Sequence, residues 1–357
     1  MGSIMKKIIL TGGGTAGHVI PNLALLPSLK AAHFEVFYIG SHNGIERKLV
    51  EAEGIPYFGI SSGKLRRYID LKNITDIFRI LKGFGDAVKI IRKVKPDIVF
   101  SKGGFVTVPV IAAARMFSVK SILHESDITP GLANRLSLPL ATKICCSFPE
   151  TMKHISGSRG ILTGSPIRQS LHNGNGMAGL KMAGFTDGDE PVLLVTGGSQ
   201  GAAAINACVR EALPQLLEKF QVIHLCGKGN LSGINHSGYV EFEYLNEAMA
   251  DVLAAADVVI SRAGANTLFE LLALKKPHLL IPLSKEASRG DQILNASSTA
   301  KQGYSMVLPE EEMTPKRLQK DIEILYNTRG NFKKSMAARK TSDGVAQVMA
   351  VIVELTQ

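Results

Sequence analysis

Apolar residues along this chain gather in short unbroken runs, and each run ends on a turn of small or polar residues. KKIILTGGGTAG opens the sequence and PVLLVTGGSQGA returns at residues 191–202. Each is a β-branched and leucine run that stops at Thr-Gly-Gly and passes into small residues suited to a helix start. HFEVFYIG, KPDIVFS, VKSILHE and ATKICCSF in the first half predict further buried strands, as do FQVIHLCG, VEFEY, ADVVIS and KPHLLIP in the second. Continuous apolar strands separated by helical stretches belong to parallel sheets covered on both faces. Gly12 and Gly197 lie about half the chain apart, and two opening glycine turns predict two α/β domains. Each is expected to be a Rossmann-like, doubly wound parallel sheet, the two facing across a cleft. The expected domains are 5–164 and 165–341, divided near GSPIR and followed by a helix over about 342–357 able to pack back on the first.

Length agrees, since 357 residues exceed one comfortable core. No run approaches the roughly 18 apolar residues that a spanning helix needs. After Lys7 only IIL precedes the first glycine turn, which does not fit a secretory leader, so a cytoplasmic protein is expected. Cys145 and Cys146 are adjacent, Cys208 and Cys226 stand alone, and without a CxxC pair they predict buried reduced thiols. The net charge of +10 is concentrated: over residues 64–95, ten basic residues stand against Asp70, Asp76 and Asp86. Within 71–91 a helical projection puts apolar residues over roughly half the circumference, more than a surface helix usually shows. Ile77, Leu81 and Phe84 are in that arc, with Lys72, Lys82 and Lys89 on the remainder. An anionic membrane surface would suit this pattern; a broadly buried helix broken at Gly83 or Gly85 is the alternative. Nucleic acid is disfavoured, because Trp is absent and aromatics total 6% with none interleaved as a stacking platform.

Ligands of open parallel sheets bind beyond the carboxyl ends of the strands. GGGTAGH, SKGGFVTVP, HESD, GGSQGA and SRAGANTLFE all follow predicted strands. Gly12, Gly14 and Gly17 satisfy G-x-G-x-x-G, but the dinucleotide fingerprint also needs an acid about 20 residues on. The second strand ends instead in Gly40 and Ser41, which argues against NAD. In SRAGANTLFE the small residues before Asn266 would let a phosphate meet the helix amides. Glu270, one turn in, could accept from both ribose hydroxyls or simply stabilise the helix dipole.

GGGTAGH, KGGFVTVP, HESD, GSPIR, GGSQGA and SRAGANTLFE, in this order, resemble the MurG glycosyltransferases of bacterial peptidoglycan synthesis. The resemblance covers essentially the whole chain. It implies a GT-B fold and transfer of N-acetylglucosamine from UDP to undecaprenyl-pyrophosphoryl-muramoyl-pentapeptide, without a cofactor. It places the acceptor in the first domain and the UDP-sugar in the second, with inversion at the anomeric carbon. By motif, Glu270 would bind ribose, and Ala265, Asn266, Thr267, Leu268 and Phe269 would lie along the donor. Ser199 would donate to a phosphate, Gln292 would read the sugar, and Leu245 and Asn246 would hold the uracil. Thr15, Ala16, Gly17 and Asp127 are also implied on the donor side. Arg168 would meet the charge that develops on leaving UDP, a role that suits guanidinium on physical grounds alone. Gly13, Gly14, Gly103 and Gly104 would form an acceptor loop whose amides face its pyrophosphate.

His18 then acquires a role as general base on the acceptor's 4-hydroxyl, for which imidazole is suited. Glu125 would orient the acceptor or support that base, beside His124. Asp127 stands where the family usually has asparagine. Asp187 and Asp189 form a DxD pair, but it precedes a strand at the end opposite the binding edge and is expected to be a solvated turn. No metal is expected. The expected place of action is the cytoplasmic face of the bacterial membrane. Alternatives are a glycosyl-diacylglycerol synthase, a UDP-sugar epimerase of the same fold, or a non-catalytic UDP-sugar sensor.

Overall fold

A computed structural model describes residues 5–63, 72–185, 190–198, 200–286, 288–339 and 343–357. Ser199, Asp187 and Asp189 lie outside the described residues, as do the side chains of Lys72 and Ile77. Two compact units divide the chain: one runs to Arg168 and adds Asp343–Gln357, the other is Gln169–Ser342.

The first unit holds a seven-stranded sheet of β1 (Lys6–Thr11), β2 (Phe34–Ser41), β3 (Tyr57–Ile60), β4 (Ile98–Ser101), β5 (Lys120–Glu125), β6 (Lys143–Cys146) and β7 (Gly160–Leu162). The order is β3-β2-β1-β4-β5-β6-β7, and every pairing is parallel. Strand order therefore reverses beside β1, which places the glycine turn after it at the switch point. Helices α1 (Ala16–Ala24), α2 (Leu26–Ala31), α3 (Ile45–Ala52), α4 (Lys72–Val94), α5 (Thr107–Met116) and α6 (Leu132–Ser137) complete the crossovers. Side chains of β1 alternate between two cores, Ile8 and Leu10 in one and Ile9 in the other, as strand pleating requires.

The second unit repeats the plan with β8 (Val192–Thr196), β9 (Gln221–Leu225), β10 (Tyr239–Phe242), β11 (Val258–Ser261), β12 (His278–Leu280) and β13 (Met306–Val307). Its order is β10-β9-β8-β11-β12-β13, again all parallel. Its helices are α7 (Gly176–Met182), α8 (Ala203–Leu216), α9 (Met249–Ala255), α10 (Ala265–Ala273), α11 (Asp291–Lys301) and α12 (Pro315–Ala337). This is the two-sheet, GT-B class of architecture.

The last helix, α13 (Gly344–Thr356), belongs to the first unit. Val348, Met349, Val351 and Ile352 share a core with Ile8, Leu10 and Phe100. A Cβ at Gly344 would run into the Ser165 carbonyl, so glycine lets the helix start tight against GSPIR. His124 Nε2 holds the Gly164 carbonyl at 2.9 Å. These contacts carry Ser165–Arg168 with the first unit, where the sequence reading assigned them to the second.

Buried histidines set an acid limit on this fold. His224 and His278 are each 0% exposed. Burial lowers both to about 4; Arg210 adds to the effect at His224, and the Lys276 carbonyl opposes it at His278. The unfolded chain then binds protons that the native state refuses, so stability rises with pH between about 4 and the ordinary 6.5. Acidifying across that window is expected to cost up to about 3 kcal/mol for each histidine. Thermal midpoints measured from pH 7 to pH 4 should fall steadily, and a flat profile would contradict the buried neutral imidazoles.

Candidate active site

Three loops meet at the carboxyl ends of β1, β4 and β5. The Gly13 amide donates to Gly103 O at 3.3 Å. Gly104 has a φ of +93°, and a Cβ there would strike the Gly13 carbonyl oxygen, so only glycine closes the two turns on each other. Below them Glu46 is 0% exposed. Its Oε1 accepts from Ser41 N at 2.9 Å and from Ser41 Oγ, and its Oε2 accepts from Gly14 N at 3.3 Å. Both Gly13 and Gly14 amides are thus engaged inside the protein. This differs from the expectation that they face an acceptor anion, because both donate to groups of the protein instead.

His18 stands in the first turn of α1, partly exposed. Its Nδ1 lies 2.9 Å from Gly13 O and 3.3 Å from Thr15 Oγ1. A carbonyl can only accept, so Nδ1 carries the proton and Nε2 presents its lone pair. Burial lowers the imidazole below its ordinary value; the Gly13 bond opposes this, Lys102 adds to it, and Asp127 and Glu46 oppose it. The ring is therefore held neutral, in the tautomer a base requires.

The β5 loop carries Glu125 and Asp127. Glu125 is 5% exposed, and its oxygens accept from Asp127 N at 3.0 Å, Gly131 N at 3.2 Å and Asn134 Nδ2 at 2.7 Å. Burial raises this carboxyl, and Asp127 raises it further. Its hydrogen bonds face its own loop and the start of α6, which fits a positioning role better than direct catalysis. Asp127 remains partly exposed.

In the second unit the corresponding turns follow β8 and β11. Helix α10 starts after Gly264 with no side-chain cap, so its first amides keep the anion-attracting character of a helix start. Ala265 and Thr267 sit there with Asn266, and Glu270 follows one turn on, partly exposed. Leu268 and Phe269 are buried, so a ligand would meet them only through backbone. Gln292, on α11, accepts from Leu283 N through Oε1 at 3.1 Å, which fixes the orientation of its side-chain amide. Leu245 packs on the core of this unit, while Asn246 is exposed; both follow β10. Arg168 ends the first unit, partly exposed.

Sequence reasoning passed over Glu46, Lys102, Asn134 and Arg262. Arg262 precedes the α10 turn and pairs with Glu310 at 2.6 Å, anchoring that turn. Lys102 is signalled by its place inside KGGFVTVP, directly after the strand IVFS; nothing in the sequence singles out Glu46.

The chain matches the glycosyltransferase family 28 N-terminal domain over residues 8–146 and the C-terminal domain of the same family over 192–350. It is 57% identical over 355 residues to the UDP-N-acetylglucosamine–N-acetylmuramyl-(pentapeptide) pyrophosphoryl-undecaprenol N-acetylglucosamine transferase of Clostridium botulinum strain Loch Maree, covering 99% of this chain and 100% of the relative. It belongs to the MurG family of glycosyltransferases. The enzyme of that name from Lachnospira eligens is also 57% identical, over 98% of this chain and 99% of its own. Acinetobacter baumannii MurG superposes with a TM-score of 0.76 at 25% identity, covering 98% of this chain and 99% of that one.

Proposed function

We propose that this protein transfers N-acetylglucosamine from UDP-N-acetylglucosamine to the 4-hydroxyl of undecaprenyl-pyrophosphoryl-muramoyl-pentapeptide. The observation that carries the reading is 57% identity, across both full lengths, to relatives named for that reaction. His18 Nε2 takes the proton of the 4-hydroxyl as its oxygen attacks the anomeric carbon from the face opposite UDP, so configuration inverts. The C–O bond to UDP breaks in the same step, and its electron pair stays on the diphosphate. The α10 amides and Arg168 stabilise that charge. Glu270 holds the ribose, and Gln292 donates to the sugar hydroxyls. Incubation with radiolabelled donor and each acceptor tests the reading: label should enter the muramoyl lipid. Label in diacylglycerol, or a 2-epimerised free donor, would replace it with one of the alternatives.

The enzyme works from the membrane surface in this reading, and α4 supports it. The helix runs unbroken through Gly83 and Gly85, so the broken-helix alternative falls. Ala87, Ile91 and Val94 enter the core, with Phe84 and Val88 packed against it. Phe84 is therefore a poorer membrane contact than the sequence implied. Phe78 and Leu81 are instead 68% and 60% exposed, flanked by exposed Lys82 and Lys89. Changing Phe78 and Leu81 together to Asp should release the protein from anionic vesicles at low salt without changing its thermal midpoint. Retained binding would remove this face from the membrane contact.

A further inference from the structure

A relay of buried hydrogen bonds crosses the second unit and ends against the GGSQGA turn, and the transfer scheme does not use it. Asn206 of α8, His224 of β9 and Tyr239 of β10 are 3%, 0% and 6% exposed. Asn206 Nδ2 donates to Cys226 O at 2.8 Å. A carbonyl only accepts, so the amide oxygen of Asn206 faces His224 Nε2, 3.0 Å away, and receives its proton. His224 Nδ1 is then an acceptor. The Tyr239 hydroxyl lies 3.0 Å from that atom and 2.7 Å from Glu241 Oε1, and its single hydrogen serves both.

The far end of the relay is pinned. Glu241 Oε1 also accepts from Arg210 Nε at 2.9 Å and Nη2 at 2.7 Å. Its Oε2 accepts from Ser232 N at 2.7 Å and from Ser232 Oγ at 2.8 Å. The near end carries the turn. Gly201 and Gly227 have φ of +77° and +88°. A Cβ on Gly201 would strike Cys226 O, and one on Gly227 would strike Gly201 N and the Gln200 backbone. The backbone of GGSQGA therefore rests on Cys226 and Gly227 with no side chain between them. Asn206 holds the same carbonyl that Gly201 packs on. Such hydrogen bonds add only modest net stability, but a buried polar network specifies one geometry.

We propose that His224 is a positioning residue for the donor diphosphate: through Asn206 it fixes the Cys226 carbonyl, and with it the GGSQGA turn that meets the phosphates. The inference rests on the reading that this turn, through Ser199, binds the donor, and the test separates the two. UDP and uridine are titrated separately into the full-length protein, with binding followed by NMR of the ligand. His224→Leu keeps the site filled but cuts the relay between Tyr239 and Asn206. It should weaken UDP by about 10-fold, the order of one lost hydrogen bond, and leave uridine affinity unchanged. In the labelled-sugar assay KM for the donor should rise in step, while KM for the acceptor stays fixed. His224→Gln can donate to Asn206 and accept from Tyr239, so it should restore UDP affinity.

Tyr239→Phe removes only the hydroxyl and frees the ring from its anchor. It should shift UDP in the same direction and spare uridine, which keeps the test open if His224→Leu fails to fold. A merely structural histidine would weaken UDP and uridine equally, or leave the glutamine variant no better than the leucine one; either result would overturn the relay. Ser199→Ala reads the turn itself. Loss of UDP affinity there, with none in His224→Leu or Tyr239→Phe, would overturn the relay and keep the turn. Unchanged UDP affinity in Ser199→Ala would remove the turn from the diphosphate, and the inference with it.

Discussion

His18→Ala is expected to lower kcat by about 10²- to 10⁴-fold, the usual worth of a positioned general base, and to leave UDP-N-acetylglucosamine affinity unchanged. The asymmetry follows from where the side chain stands. It belongs to the first unit, bonded to Gly13 O, while the proposed donor contacts from Ala265 to Gln292 belong to the second. In the proposed transfer its Nε2 lone pair contributes only as the acceptor hydroxyl gives up its proton, which is a transition-state interaction. His18→Gln is the sharper control, because an amide N–H can replace the bond to Gly13 O but cannot take the proton. Both variants should show the same loss of turnover in the labelled-sugar assay, with donor affinity read by calorimetry. Equal losses in turnover and donor affinity would show that His18 serves donor binding instead.

Gly104→Ala is expected to reduce turnover by about 100-fold, the order of loss that a misplacement of about 1 Å produces in a catalytic geometry. Alanine brings two problems to this position. A φ of +93° lies where side chains are strained, and the new methyl would collide with the Gly13 carbonyl oxygen. That oxygen is the acceptor for His18 Nδ1, so relieving the clash moves the group that orients the base. The backbone strain should also cost about 1–3 kcal/mol of stability, seen as a lower thermal midpoint. Gly85→Ala provides the contrast, since a Cβ there meets nothing within 4 Å and helix propensity favours alanine by about 1 kcal/mol. If both substitutions left turnover alone, the junction of the two glycine turns would have no part in placing His18.

Much of this architecture was legible because a parallel sheet writes itself as uninterrupted apolar runs. The Thr-Gly-Gly repeat marked β1 and β8 and, through them, both switch points. Three elements escaped. Strand β3 (YFGI) and β7 (GIL) carry a glycine and β13 is only two residues long, so none shows the unbroken apolar run that marked the other strands. Helix α4 covers most of the segment projected over 71–91, but the circumference of the apolar arc could not say which of its residues face inwards. Packing on α5 and the sheet took Phe84 and left Phe78 outside. At the site, the glycines announced close backbone approach without saying what approaches. Gly13 and Gly14 proved to be held by the Gly103 carbonyl and the Glu46 carboxylate, partners distant in sequence. Lys102 is a similar case: a charge directly after a buried strand gains meaning only once His124 and Ser126 are beside it.

The return of α13 to the first unit has a consequence for synthesis. The chain passes between the units twice, after Arg168 and again before Asp343, so the amino-terminal unit is finished only by residues made after the whole of the second. At ordinary translation speeds of about 5–20 residues per second, its core waits on the order of ten seconds or more for Val348, Met349, Val351 and Ile352. During that interval Leu10 and Phe100 lack the apolar cover that α13 later supplies. A nascent chain stalled before Gly344 would carry a complete second unit and an open first one, and proteases and chaperones would meet the half that was translated earliest.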